Sequence, residues 1–253
     1  MMTQRFLIAM VPCLLLACTM DDHDTTAPDA RPWDGKVRVH GALRAMMHEG
    51  QTGAMVTLDS MLPNPHLYAV GALADLSGEV TIGGGKAYLS YPEAEGRTEV
   101  TTRSAAGAAL LVSAVVPSWQ SVSTRHAIRF EELDEEIARL AAAAGMSLDR
   151  RFPFLLEGDF EDLHWHVIDG SRLTAGGASH EDHGAASIKT KRDRASATLI
   201  GLYSQSDQGV FTHMGSKTHI HCVLADPLAT GHVDHVNIPL GSAVKFPAVP
   251  GGL

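Results

Sequence analysis

The chain is poor in cysteine, poor in aromatic residues, and has no surplus of positive charge. Its three cysteines are Cys13, Cys18 and Cys222 among 253 residues. Cys13 falls within an N-terminal leader and Cys18 directly after it, both ahead of the folded body, so that body keeps Cys222 alone and is expected to form no intramolecular disulfide. Stability must therefore come from a core, and from a metal if one binds. The net charge is −9 with histidine neutral, which gives no field to attract nucleic acid or an anionic lipid surface. Aromatics are only 6% of residues and do not interleave with a basic stripe, so nucleic acid is excluded as a partner. No apolar run approaches the roughly 20 residues that span a bilayer, and no repeat of 20 to 50 residues is visible.

The first residues, "MMTQRFLIAMVPCLLLAC", carry one basic residue, Arg5, and an apolar run from Phe6 to Ala17. That run is too short for a membrane helix and suits a secretory leader. Its end, "LLAC", resembles the lipobox of bacterial lipoproteins, whose cysteine becomes the lipidated N-terminus; an ordinary signal peptide is the alternative. The expectation is a signal peptide over 1–17, lipidation at Cys18, and an acidic, proline-containing tether over 18–36. The folded domain is 37–253, in two halves that meet near 117–150. The chain then faces the periplasm or exterior of a bacterial cell envelope and touches the membrane through its lipid anchor only.

Within the body, "GALRAMMHEG" (41–50) places Leu43, Met46 and Met47 at helical spacing before Gly50. "AMVTLDSML" suits either a short helix or a strand. From His66 to Tyr91, short apolar alternations broken at Ser77-Gly78 and Gly83-Gly84-Gly85 predict a β-meander. "ALLVSAVV" predicts a strand closed by Pro117. "FEELDEEIARLAAAAG" (130–145) predicts a helix with Leu133, Ile137 and Leu140 on one face and Gly145 as its stop. "FPFLLEGDFEDLHWHVI" (152–168) reads as two strands joined by an "EGD" turn. "TLIGLYS" and "HIHCVLA" read as further strands, and "GGASHEDHGAASIKTKRDRAS" as a polar loop. The sum is an α+β protein, mostly β-sheet with few helices.

Histidine is abundant, with 14 in the chain, and four fall within "THIHCVLADPLATGHVDHV". In a strand, residues i and i+2 leave one face, so His219 and His221 project together while Ile220 and Cys222 point away. "ADPLATG" has the composition of a reversing loop, which brings His232 back toward the pair. Three imidazoles from adjacent strands leave an open coordination position, as a catalytic Zn²⁺ requires; chance clustering of surface histidines is the alternative. His164 and His166 repeat the same-face spacing around Trp165. His180 and His183 read as solvated loop residues, and His213 as a pocket residue or a partner of the backbone. Cupin barrels also carry an H-x-H strand, but expect a glutamate where this chain has Asp226 beside Pro227.

His219-x-His221-x10-His232 resembles the zinc motif of bacterial acetolactate decarboxylases. "HGALRAMMHEGQTGAMVTLDSML", "HLYAVGALADLSGEVTIGGGKAYLSY", "LLEGDFEDLHWHV" and "ATLIGLYSQSDQGVFTHMGSKTHIH" resemble that family's other segments in order, from about Val37 to Ile238. The resemblance implies a fold of two related halves sharing a core, Zn²⁺ on His219, His221 and His232, and Glu79 beside the metal. It implies decarboxylation of 2-acetolactate, a 2-hydroxy-3-keto acid, to acetoin and CO₂, with the cation stabilising negative charge and a carboxyl group supplying the final proton. It also admits a homodimer.

Two departures stand out. The family's carboxylate-clamping arginine falls near His166, and no arginine lies between Gly158 and Ser171. The tail "GSAVKFPAVPGGL" has no glutamate. His164 and His166 are candidates to replace the arginine, with His166 taken as the catalytic substitute; Arg172 or Arg194 are the other candidates. A zinc hydrolase of small esters and a non-catalytic metal-binding envelope lipoprotein remain the alternative functions.

Overall fold

Two antiparallel sheets pack against each other. They are seen in a computed structural model that describes residues 32–103, 105–173 and 180–249. The leader, Cys18 and most of the tether lie outside these residues. The first sheet uses β1 (Val37–His40), β2 (Val56–Thr57), β3 (Leu67–Leu73), β4 (Glu79–Gly83), β5 (Lys86–Pro92), β6 (Thr98–Thr101) and β7 (Gly107–Val115), in the order β1-β7-β3-β4-β5-β6 with β2 also on β7. The second uses β8 (Trp119–Ser123), β9 (Phe152–Val167), β10 (Ile188–Tyr203), β11 (Thr218–Ala225), β12 (Leu228–Asn237) and β13 (Ala243–Pro247). Its order is β10-β11-β12-β9-β13-β8, and β9 also pairs with β10. The ladder β9-β10-β11-β12 therefore closes into a ring, which removes strand edges around the histidine-bearing strands.

The central strands β3 and β7 are apolar almost throughout because both their faces are covered. Leu110 and Val112 of β7 pack with Leu155, Ile200 and Leu202 of the second sheet, each at most 4% exposed. Each such side chain contributes about 1.5–3 kcal/mol, so separating the sheets costs about as much as a domain's net stability of about 5–15 kcal/mol. Side chains contributed from both sheets are thus held in fixed relation.

Both expected helices form. α1 (Leu43–Glu49) buries Leu43 and Met46 and ends at Gly50 with φ 65°. α2 (Leu133–Ala143) buries Leu133, Ile137 and Leu140, with a 3-10 turn at Phe130–Glu132 as its entry. "AMVTLDSML" divides between β2 and a 3-10 turn at Leu58–Ser60.

Two expectations fail. Residues 152–167 form one strand, and no hairpin occurs at Glu157-Gly158-Asp159. Gly158 sits in the ladder opposite Ala197, and a Cβ there would stand 3.3 Å from Ser242 Oγ. The glycine serves close approach of the chain entering β13. The polar stretch expected as a loop instead forms α3 (His180–Ala186) and the first half of β10. That half lacks apolar alternation because much of it faces solvent. It is held by the ladder to β9 and by ion pairs such as Lys191 Nζ to Asp162 Oδ1 at 2.8 Å.

Candidate functional site

β11 carries His219 and His221 on its inner face, while Ile220 and Cys222 enter the core behind it. The chain reverses across Asp226-Pro227, and the ladder places His232 of β12 directly opposite His221. One ring nitrogen from each of the three lies within 4.8 Å of the others. His219 Nε2 and His221 Nε2 are 3.2 Å apart. Ligands about 2.0–2.1 Å from a tetrahedral ion stand about 3.3 Å from one another, so this pair has the spacing an ion needs.

The electrostatics suit the same use. Burial pushes His219 down to about 3, with charge on His213 the next cause. Burial, followed by the neighbouring imidazoles, also holds His221 and His232 well below the ordinary histidine value. Three neutral imidazoles offer lone pairs, the form a metal takes. The Cys222 thiol is pushed up by burial and stays protonated at neutral pH, in keeping with a core residue that is not a ligand.

Glu79 reaches this cluster from the other sheet. It opens β4 directly after Gly78, whose φ is 146° and whose Cβ, if present, would stand 2.0 Å from the Ser90 carbonyl oxygen. Only glycine allows β4 and β5 to approach so closely there. Glu79 is 5% exposed; its Oε2 is 3.8 Å from His221 Nε2 and its Oε1 accepts from the Ile168 N–H at 3.3 Å. Burial raises its pKa to about 7 against the lowering effects of His166 and the Ile168 amide.

His166 projects from β9 toward the same point, with Nε2 4.0 Å from Glu79 Oε1 and Nδ1 2.7 Å from Asp234 Oδ1. Burial pulls its pKa down, but the bond to Asp234 and the charges of Asp234 and Glu79 outweigh that and leave it raised. His164, two residues earlier, goes elsewhere. Its Nε2 meets Asp162 Oδ1 at 3.0 Å, and its ring lies beside His235 outside the cavity. A register shift in β12 after Val233 separates the two positions.

Glu79, His166, Asp234, His219 and His232 line a cavity of about 170 Å³, while His221 is fully buried and does not line it. α1 closes one side with Leu43, Met46 and Met47, and His213 and His183 join the polar wall. His183 therefore does not sit in a solvated loop as its sequence suggested; α3 carries it to the cavity. The cavity's cation is Lys189, opposite His166 in the β9–β10 ladder. Arg172 is held by Asp169 at 2.8 Å, and Arg194 lies opposite Glu161; neither lines the cavity. Lys189 and Asp234 were missed in the sequence. Asp234 could have been read from its i+2 spacing to His232, whereas nothing local marks Lys189.

No protein-family profile and no curated protein matches the chain. Solved structures do. Acetolactate decarboxylase from Bacillus subtilis subspecies spizizenii superposes with a TM-score of 0.65 at 13% identity, over 85% of this chain and 86% of that one. Alpha-acetolactate decarboxylase from Bacillus subtilis strain 168 gives 0.64 at 12% identity, over 83% and 85%. A Staphylococcus aureus protein described as similar to alpha-acetolactate decarboxylase gives 0.62 at 16% identity, over 83% and 84%. The chain has the acetolactate decarboxylase fold. In this acetolactate decarboxylase fold, the first sheet delivers Glu79 and the second delivers the three histidines, His166 and Lys189.

Proposed function

We propose that the chain is a zinc-dependent carboxy-lyase that converts 2-acetolactate to acetoin and CO₂. One observation carries the reading: three imidazoles converge beside a buried carboxyl group, at a small cavity that His219, His232, Glu79 and Lys189 line. At about 170 Å³ the cavity is well below the roughly 300–1,000 Å³ of pockets for drug-sized ligands, which favours a small metabolite. A zinc ion on His219, His221 and His232 would supply Lewis-acid stabilisation of negative charge on substrate oxygens. Lys189 meets the substrate carboxylate, and the apolar side chains of α1 exclude water. The carboxylate–carbon bond breaks, CO₂ leaves, and its electron pair stays on the substrate carbon. Glu79 holds the proton that this carbon then takes, and His166, fixed by Asp234, faces the same carboxyl group.

The test is acetoin release from racemic 2-acetolactate by metal-free protein with and without one equivalent of zinc. Zinc-dependent release supports the reading. Tight zinc binding with no release overturns the substrate and directs the search to small esters.

Lys189→Met is expected to raise KM about 10–100-fold and leave kcat nearly unchanged. A hydrogen bond to a charged group is worth about 1.5–3 kcal/mol, and Lys189 would bind ground and transition state alike. Steady-state kinetics decides this: a fall in kcat at constant KM would remove Lys189 from substrate binding.

We also propose lipid anchoring at Cys18 in a bacterial envelope, on the strength of the "LLAC" sequence. In a bacterial host, Cys18→Ser is expected to abolish incorporation of labelled palmitate and release the protein from membranes. Retained label in that variant would overturn the anchor.

A further inference from the structure

A chain of hydroxyl groups runs behind His221. Thr81 Oγ1 lies 2.9 Å from His221 Nδ1, Thr230 Oγ1 lies 2.8 Å from Thr81 Oγ1, and the Cys222 carbonyl oxygen lies 2.7 Å from Thr230 Oγ1. Thr81, Thr230 and His221 are each at most 1% exposed, which leaves little room for water to supply a substitute proton.

The order of protons follows from the far end. A carbonyl can only accept, so the Thr230 hydroxyl must donate to the Cys222 oxygen. Thr230 has no second proton, so its oxygen accepts from the Thr81 hydroxyl. Thr81 has then spent its proton, and its oxygen accepts from His221 Nδ1–H. Reversing any link sets two lone pairs against each other at hydrogen-bond distance without water, at a cost of about 1–3 kcal/mol for each unsatisfied buried group.

We infer that Thr81 and Thr230 are positioning residues that lock His221 as its Nδ1–H tautomer and so preset its Nε2 lone pair toward the metal point. The inference rests on the metal reading above but not on the substrate. Thr81 sits two residues after Glu79 on β4, so its side chain leaves the same face of the strand. One strand of the first sheet thus brings both the carboxyl group and the lock to histidines borne by the second. The site is complete only when the two sheets are docked. His219 has no such lock: its buried Nδ1 has no hydrogen-bond partner among the described residues.

The direct test is a long-range proton–nitrogen spectrum of the ¹⁵N-labelled, metal-free protein, with the His221 signals assigned by their loss in His221→Gln. The expected pattern is the Nδ1–H tautomer in the wild type and in Thr81→Ser, and its loss in Thr81→Val. Chelator competition should show zinc binding about 10–100-fold weaker in Thr81→Val, the usual cost of losing a partner behind a ligand, with affinity regained in Thr81→Ser. An Nε2–H tautomer in the wild type, or wild-type zinc affinity in Thr81→Val, would overturn the inference. Should Thr81→Val fail to fold, the wild-type spectrum still decides. Because that spectrum is taken without zinc or substrate, its outcome is independent of the acetoin assay.

Discussion

His219→Ala is expected to abolish zinc-dependent acetoin release and to weaken zinc binding by more than about a hundredfold. Losing a mere partner of a ligand costs about 10–100-fold in affinity, and losing one of three ligands must cost more. The fold should survive. His219 is 4% exposed, its Nδ1 has no hydrogen-bond partner among the described residues, and its Nε2 meets the His221 Nε2 at 3.2 Å, so its removal frees one nitrogen of a neighbouring imidazole and no backbone ladder bond. His164→Ala is the matched control. That ring belongs to a surface cluster with Asp162 and His235 and does not line the cavity. It should leave zinc affinity and turnover unchanged. Zinc titration by chelator competition, with a thermal melt on each variant, separates the two. Equal zinc affinity in His219→Ala and wild type would refute the three-histidine site.

The contrast between those two H-x-H pairs shows how far the sequence could be read. Strand alternation is local, so it tells that His219 and His221 share a face, and equally that His164 and His166 do. It cannot tell which face meets a partner strand that completes a site. His232 was readable because a short reversal separates it from β11. His166 stands opposite His232 and His164 opposite His235, across a register shift in β12 that no local pattern announces. Gly158 misled for a related reason. Glycine permits a turn, but it also permits close approach, and here Ser242 approaches. Lys189 was invisible because β10 carries a run of charges there, and only the ladder shows which of them stands opposite His166. The apolar segments, by contrast, predicted the meander, both long-recognised helix faces and the strand-rich class, because burial imposes periodicity on the residues themselves.

Glu79→Gln is expected to divide activity from stability. Turnover should fall about 10²–10⁴-fold, the range for loss of a positioned proton donor, because an amide cannot give up a proton. The hydrogen bond from the Ile168 N–H is kept by the amide oxygen, so geometry should hold. Stability of the metal-free protein should move the other way. Glu79 is raised from 4.5 to about 7, chiefly by burial. Between those values the unfolded chain releases a proton that the folded chain retains, so stability falls as pH rises through the window. Above about 7 the full penalty applies, on the order of 3 kcal/mol at about 1.36 kcal/mol per unit. Below pH 4.5 it vanishes. Metal-free wild type should therefore lose stability between pH 5 and pH 8 relative to Glu79→Gln, and the two should converge in acid. Denaturant titrations of both proteins at each pH measure the difference, and acetoin release with zinc measures the activity. Parallel stability profiles would mean that Glu79 is not held protonated by its burial. Full turnover in Glu79→Gln would remove it from proton delivery and leave His166, on its Asp234 bond, as the group to vary next.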